Sequence, residues 1–255
     1  MGFFGKLFDK KVCDLCGGDI GLLGNRKLED GNMCKTCAKK LSPWFSERRK
    51  STIEDIQAQL AYREENQKEV ENFHVTRVLG RDHFVCLDED AGKFLVAEGK
   101  NFREDNPDVL TFSQVTGCDL DVEEDRDEIT YTNSEGEEVS YRPPRYRISY
   151  DFYVIIRVNH PYFDTMRFRL NNNSVEGAQT TGFGSGDPTR TPDYQEYWNM
   201  GQEIKAVLTQ VRQDARAAAA EAAAPKAAVT CPWCGGTDVP DANGCCQYCG
   251  GSLKG

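Results

Sequence analysis

Eight of the chain's eleven cysteines fall into two sets of four, one towards each end of the sequence. Cys13-x2-Cys16-x17-Cys34-x2-Cys37 forms the first set, and Cys231-x2-Cys234-x11-Cys246-x2-Cys249 the second. Two C-x-x-C pairs facing each other put four thiolates at the corners of a tetrahedron, the coordination Zn²⁺ takes in structural sites. Two structural Zn²⁺ ions are therefore expected, one on Cys13, Cys16, Cys34 and Cys37, the other on Cys231, Cys234, Cys246 and Cys249. A closed four-thiolate shell leaves no position for water or substrate, so the chemistry these residues announce is architectural. The sets span 25 and 19 residues, too few for a self-sufficient core. A metal has to supply the missing folding energy, roughly 10 kcal/mol in zinc-finger peptides.

Outside the two sets, about 190 of the 255 residues remain for a central domain with an ordinary core. No secretory signal is found, and no apolar run approaches the roughly 20 residues of a membrane span. Paired thiolates without an export signal point to metal in a reducing cytoplasm rather than to disulfides. The net charge of −10 is unevenly placed. Residues 1–50 carry eleven Lys/Arg against six Asp/Glu, residues 51–224 eighteen against thirty-three, and residues 225–255 two of each. Duplex-binding proteins show a basic footprint, which only the first fifth of this chain offers, and nucleic acid is disfavoured as a partner on that ground.

Along the chain, residues 1–12 place Phe3, Phe4, Leu7 and Phe8 on one helical face, flanked by Lys6, Lys10 and Lys11. Such a segment either docks on the adjacent knuckle or touches a membrane surface. Residues 13–45 read as knuckle, hairpin (turns at Gly24-Asn25 and Asp30-Gly31), knuckle and short helix ended by Pro43, the order of a treble-clef-like finger. Residues 46–72 connect onward through a helix, with a capping box at Ser51-x-x-Glu54 and a broken apolar stripe of Ile53, Ile56, Leu60 and Val70.

From residue 73 the hydrophobic period drops to two. Strands are predicted at 73–79, 83–87, 94–97, 109–122, 129–132, 139–141, 146–159 and 165–170, joined by short turns and so antiparallel. A helix capped by Asp193 follows, with Tyr194, Tyr197, Trp198, Ile204, Val207, Leu208 and Val211 on its apolar face. Residues 73–214 thus have the plan of a pleckstrin-homology-like (PH-like) barrel, with Trp198 plugging its open end. The Ala-rich stretch 215–229 reads as a partly helical tether stopped by Pro225, and residues 230–255 as a zinc ribbon of rubredoxin type. The expected fold class is α+β.

Other residues carry less chemistry. Cys86 and Cys118 lie in strands and read as core filler. Cys245 is a spare thiol, because Cys246 has the two-residue spacing to Cys249. His74, His83 and His160 have no nucleophile at a recognisable spacing, and no catalytic residue is assigned. Gly182–Gly186 lacks the Lys-Ser/Thr of a phosphate loop. The acidic run from Asp119 to Asp125 has Glu124 where a calcium loop needs glycine, and reads as a solvated strand edge. Arg142-Pro-Pro-Arg145, flanked by Tyr141 and Tyr146, is the one basic-aromatic patch of the acidic domain.

The stretch CDLCGGDIGLLGNRKLEDGNMCKTCAKKLSPWF, residues 13–45, resembles an uncharacterised bacterial zinc-module family, DUF4428. The likeness extends through STIEDIQAQLAYREEN and DFYVIIRVNHPYFDTMRFRLNNNSVE. It implies zinc ligation by Cys13, Cys16, Cys34 and Cys37 and supplies no activity. The sequence reading is a non-enzymatic, zinc-binding adaptor of the bacterial cytoplasm with protein partners. Its alternatives are a protein peripheral to the inner membrane surface, held by residues 1–12, and nucleic-acid binding through Arg26, Lys27, Lys35, Lys39, Lys40, Arg48, Arg49 and Lys50.

Overall fold

The computed structural model describes residues 11–99, 101–177, 180–181, 191–224, 228–241 and 243–253. Residues 1–10 of the amphipathic segment, the Gly182–Gly186 loop and Pro225 lie outside these. The first module begins with a small ribbon, β1 (Lys11–Val12) and β2 (Asp19–Ile20), followed by the hairpin β3 (Arg26–Lys27) and β4 (Asn32–Met33) and the one-turn helix α1 (Lys35–Ala38). Knuckle, hairpin, knuckle, helix is the expected order. Leu28, Met33 and Leu41 are buried around the cysteines, and the core is completed from outside the module by Ile56, Ile53 and Leu60.

Those three residues belong to α2 (Ile53–Asn72). Its capping box lies one residue beyond the predicted one: Thr52 Oγ1 accepts from Asp55 N, and Thr52 N donates to the Asp55 carboxylate at 2.9 Å. The predicted apolar stripe is interrupted because the buried face of α2 turns polar at mid-length, with Gln59, Arg63 and Asn66 buried between Ile56 and Val70. These spacings of three and four keep all five on one face. Arg63 Nη1 donates to the fully buried Asp108 at 2.8 Å. Asp108 also accepts from Tyr62 at 2.9 Å and from Ser42 of the first module at 2.7 Å. Burial and the Asp108 charge push the Tyr62 hydroxyl well above its ordinary pKa. Asn66 donates to the Pro107 carbonyl and accepts from Val109 N. A buried polar seam thus sews α2 to the segment 106–109, and its charges are each matched by a donor or acceptor, the condition for burying them.

Beyond the seam the chain forms two open antiparallel sheets. The first has the order β5 (Arg77–Gly80), β6 (His83–Asp88), β7 (Lys93–Glu98), β8 (Leu110–Thr111). Asp88 pins the turn between β6 and β7, accepting from Ala91 N, and also accepts from His74 N ahead of β5. The second is built on two long strands, β9 (Val115–Thr132) and β10 (Glu138–Val158), with β11 (Thr165–Arg169), β12 (Val175–Glu176) and β13 (Thr180–Thr181) paired along the other edge of β10. The predicted breaks at 123–128 and 142–145 are absent. The acidic run continues β9, and Arg142-Pro-Pro-Arg145 is an irregularity between Ser140 and Arg145 within β10. Buried Asn171 fills the gap between β11 and β12, accepting from Phe152 N and donating to the Tyr150 and Asn173 carbonyls. Neither sheet closes on itself, so a closed barrel is not what the described strands form.

Helix α3 (Pro192–Ala223) starts at Pro192, one residue before the predicted cap; proline suits the first helical turn, where its missing N–H is not needed. Its buried face is Tyr194, Tyr197, Gly201, Ile204 and Leu208. Phe152 of β10 meets the Tyr194 and Tyr197 rings at 5.0 and 5.8 Å. At Gly201 the side chain of Leu120 leaves no room for a Cβ. Trp198 is not a plug: it is 38% exposed and stacks on Tyr194, and the buried rings of α3 are Tyr194 and Tyr197. The chain divides into two compact units after Gln213, and the Ala-rich stretch continues α3 into the second, Asp214–Gly255. That unit ends in a ribbon with the strands β14 (Val229–Thr230) and β15 (Thr237–Asp238).

Candidate metal centres

Three of the four C-x-x-C pairs are followed by Gly-Gly, and all three fold alike. The first cysteine's N–H donates to the second glycine's carbonyl: Cys13 to Gly18, Cys231 to Gly236, Cys246 to Gly251, at 2.8–2.9 Å. Its carbonyl in turn accepts from the first glycine, at 2.8–2.9 Å. Gly17, Gly235 and Gly250 stand at φ of 71°, 73° and 70°, the left-handed region that side chains avoid. The fourth pair, Cys34-Lys-Thr-Cys37, is shaped differently, as the start of α1. Cys34 is its N-cap, and its sulfur accepts from Cys37 N at 3.3 Å.

These knuckles bring Cys13, Cys16, Cys34 and Cys37 together, and likewise Cys231, Cys234, Cys246 and Cys249, with the sulfurs of each group all within 4.8 Å. Cys13–Cys37 and Cys16–Cys34 are 3.9 and 3.8 Å apart. Cys231–Cys249 and Cys234–Cys246 are both 3.6 Å apart. A tetrahedral thiolate site with Zn–S bonds of about 2.3 Å has sulfur–sulfur edges of about 3.8 Å. The geometry fits an ion of that size in either group.

Electrostatics points the same way. Burial raises the Cys13 thiol, but N–H groups of Cys34, Cys16 and Leu15 more than offset it and bring its pKa to about 6. Burial likewise opposes, and the amides of Cys234 and Trp233 outweigh it, at Cys231, lowered to about 7. The Cys37 amide lowers Cys34 as well, whereas Cys37 and Cys249 resist a further negative charge. Burial and the other three sulfurs push Cys37 up. Cys249 rises to about 12 under Cys231 and Cys234 despite the pull of the Gly251 amide. A bound dication removes that conflict by deprotonating its thiol ligands outright.

In the second centre the aromatic residues cross over. Trp233 of one knuckle packs where a Cβ on Gly251 of the other would sit, and Tyr248 does the same at Gly236. Both rings nonetheless stay exposed, Trp233 by 75% and Tyr248 by 72%. Cys245 is left out of the group, as the two-residue spacing of Cys246 implies, and its backbone forms an isolated antiparallel β-bridge with Ser252. Cys86 and Cys118 are buried at 1% and 7% exposure. Among the histidines, His83 meets Glu98 at 3.2 Å and His74 meets Asp90 at 3.7 Å. His160 stacks on Phe163 at 4.2 Å, and burial lowers its pKa. The Arg-Tyr patch is internal to the arm of β9 and β10: Arg126 lies over Tyr146, and Arg145 over Tyr141.

With this geometry in place, comparison with known families is informative for one segment. Residues 11–59 match the family model of DUF4428, a domain of unknown function. The DUF4428 segment ends at Gln59 within α2, so the likeness read at 151–176 lies outside it. Neither the comparison with curated proteins nor that with solved structures finds a match. The polar seam, with Ser42, Arg63, Asn66 and Asp108, is what sequence reasoning misses. Buried polar residues on a helix look, in sequence, like its solvated side.

Proposed function

We propose that the protein is a non-enzymatic, zinc-dependent adaptor of the cytoplasm whose metal centres hold surfaces for protein partners. The observation that carries this reading is the second centre, where four cysteines close around the metal position while Trp233 and Tyr248 stand outside it. Exposed aromatics on a small rigid support are the usual anchors of protein recognition, because they bury large area at low entropy cost. Zn²⁺ is the ion of choice for a closed four-thiolate group. The order of a four-stranded sheet, a second antiparallel sheet that starts with the run β9, β10, β11, and a C-terminal helix supports a PH-like scaffold as the body that carries the centres.

The test is capture of partners from the native cell by the tagged, zinc-loaded chain, with nuclease present. A stoichiometric protein that is lost with Trp233→Ala/Tyr248→Ala and with Cys231→Ser, but kept with Gln247→Ala, supports the reading and locates the surface. Recovery of lipid or nucleic acid without any protein sensitive to these changes overturns it.

A further inference from the structure

The first module gathers positive charge in one place without the negative charge that matches it elsewhere. Arg26 and Lys27 of β3 and Arg48 and Arg49 of the one-turn 3-10 helix Glu47–Lys50 line a single concavity of about 800 Å³, together with Asn25, Leu28 and Glu29. Elsewhere in the same unit six arginines are paired with carboxylates, Arg63 with Asp108, Arg77 with Glu203, Arg81 with Glu196, Arg157 with Asp119, Arg167 with Glu123 and Arg169 with Asp151, while Arg103 and Arg212 donate to carbonyls and Arg126 lies over a ring. None of the four cations of the concavity has such a partner among the described residues, and Glu29 is the one carboxylate in its lining. The concavity lies in the basic first fifth of a chain that is acidic over its whole length, with 41 acidic against 31 basic residues.

The fold also fixes where these charges point. Arg48 Nη1 donates to the Lys27 carbonyl at 3.0 Å, across from the helix to the hairpin. Arg26 Nη1 donates to the Asn25 and Leu23 carbonyls at 3.3 and 3.4 Å. Each guanidinium has five N–H donors, so both keep donors for a ligand while their planes are held. Burial and the charges of Arg26 and Arg49 all work against the charge of Arg48. An anion in the concavity offsets the repulsion among these like charges, and arginine forks match phosphate oxygens in pairs. A duplex needs a track of cations along its backbone, whereas four cations converging on one hollow suit a compact, multiply charged anion.

We infer that the concavity lined by Arg26, Lys27, Arg48 and Arg49 is a binding site for a phosphoryl group of high charge, a phosphomonoester or pyrophosphate. The group arrives either on a soluble molecule or on a lipid headgroup. This goes beyond the adaptor reading and does not depend on it.

The experiment is calorimetric titration of the full-length, zinc-loaded chain with pyrophosphate at constant ionic strength. Beside it runs sedimentation with phosphatidylcholine vesicles, plain or carrying a few per cent of a phosphomonoester-bearing phosphoinositide. Saturable one-to-one binding of pyrophosphate is expected. It should weaken about tenfold or more in Arg26→Gln/Arg48→Gln, the scale of losing charge-assisted hydrogen bonds, and should be unchanged in Lys35→Gln/Lys39→Gln. Arg48→Lys, which keeps the charge and loses the fork, should fall between. Cosedimentation with the phosphoinositide vesicles, competed by pyrophosphate, assigns the group to a lipid; pyrophosphate binding without cosedimentation assigns it to a soluble molecule. If the double variant fails to retain two zinc ions, Lys27→Gln/Arg49→Gln takes its place. The inference is overturned if neither probe binds, if the control variant loses as much as the double variant, or if only duplex nucleic acid binds.

Discussion

At the scale of single residues, the eleven cysteines divide by environment, and that division is measurable. Eight are grouped for metal, and burial pushes Cys86 up to about 11 and Cys118 to about 12. At pH 8 those two are almost wholly thiols, and a thiol attacks far more slowly than its thiolate. Only half-buried Cys245 remains. The zinc-loaded chain should therefore show one fast-reacting thiol with a disulfide reagent, rising by eight on addition of a strong chelator. Two or more fast thiols before chelation would show that a centre is incomplete. The knuckle glycines give a second residue-scale test. Gly235→Ala forces a side chain into the left-handed region at a cost of about 1–2 kcal/mol, so zinc affinity of the second centre should fall about tenfold. An indicator-competition titration reads this directly; unchanged affinity would mean that the knuckle backbone does not shape the site.

At the scale of elements, α2 joins two environments. Its first half completes the core of the first module, and its second half is held by the seam to residues 106–109. Thr52→Ala removes both hydrogen bonds of the Thr52 hydroxyl, to Asp55 N and to the Asp55 carboxylate, while the backbone N–H bond of the capping box stays, and it should destabilise the first unit by about 1 kcal/mol. Asp108→Ala leaves Arg63 buried at 7% side-chain exposure without its counter-charge. Breaking such a pair costs about 3–5 kcal/mol, whereas Tyr62→Phe, which leaves Asp108 its other two donors, should cost about 1 kcal/mol. Chemical denaturation of the three variants orders them; equal losses from Asp108→Ala and Tyr62→Phe would refute the seam as an ion-pair device. This is also where the sequence is least legible. The cysteine spacings, the hairpins around residues 81–92 and the apolar face of α3 follow from local chemistry, and the structure contains them. The continuity of β9 through Glu123–Glu128 does not, because a strand exposed on both faces has no alternation to read. Arg63 and Asn66 are hidden for the converse reason: what buries them is a segment some forty residues away in the chain.

At the scale of the whole molecule, the two centres have unlike support, and they should fail differently. The first shares a core with Leu28, Met33, Leu41 and Ile56 and is tied through Ser42 and Asp108 to the segment before β8. In the second unit, Asp214–Gly255, the buried residues among those described are Cys231 and Cys246 alone. With no apolar core beneath the sulfurs, its ribbon depends on metal for its folding energy. Removing residues 214–255 should therefore lower zinc content from two ions per chain to one and leave the main thermal transition in place. For a unit of this size 1 kcal/mol moves Tm by about 2–4 °C, so a fall of more than about 4 °C would mean that the second unit stabilises the first. Chelation of the full chain tests the same asymmetry from the other side. Zinc lost from the second centre should abolish the near-ultraviolet circular dichroism of Trp233 without moving the main transition, whereas zinc lost from the first should lower that transition by several degrees, because the module's core and α2 lose their common anchor. A single concerted release, with both signals moving together, would show that the centres are coupled and that the ribbon is not an autonomous unit.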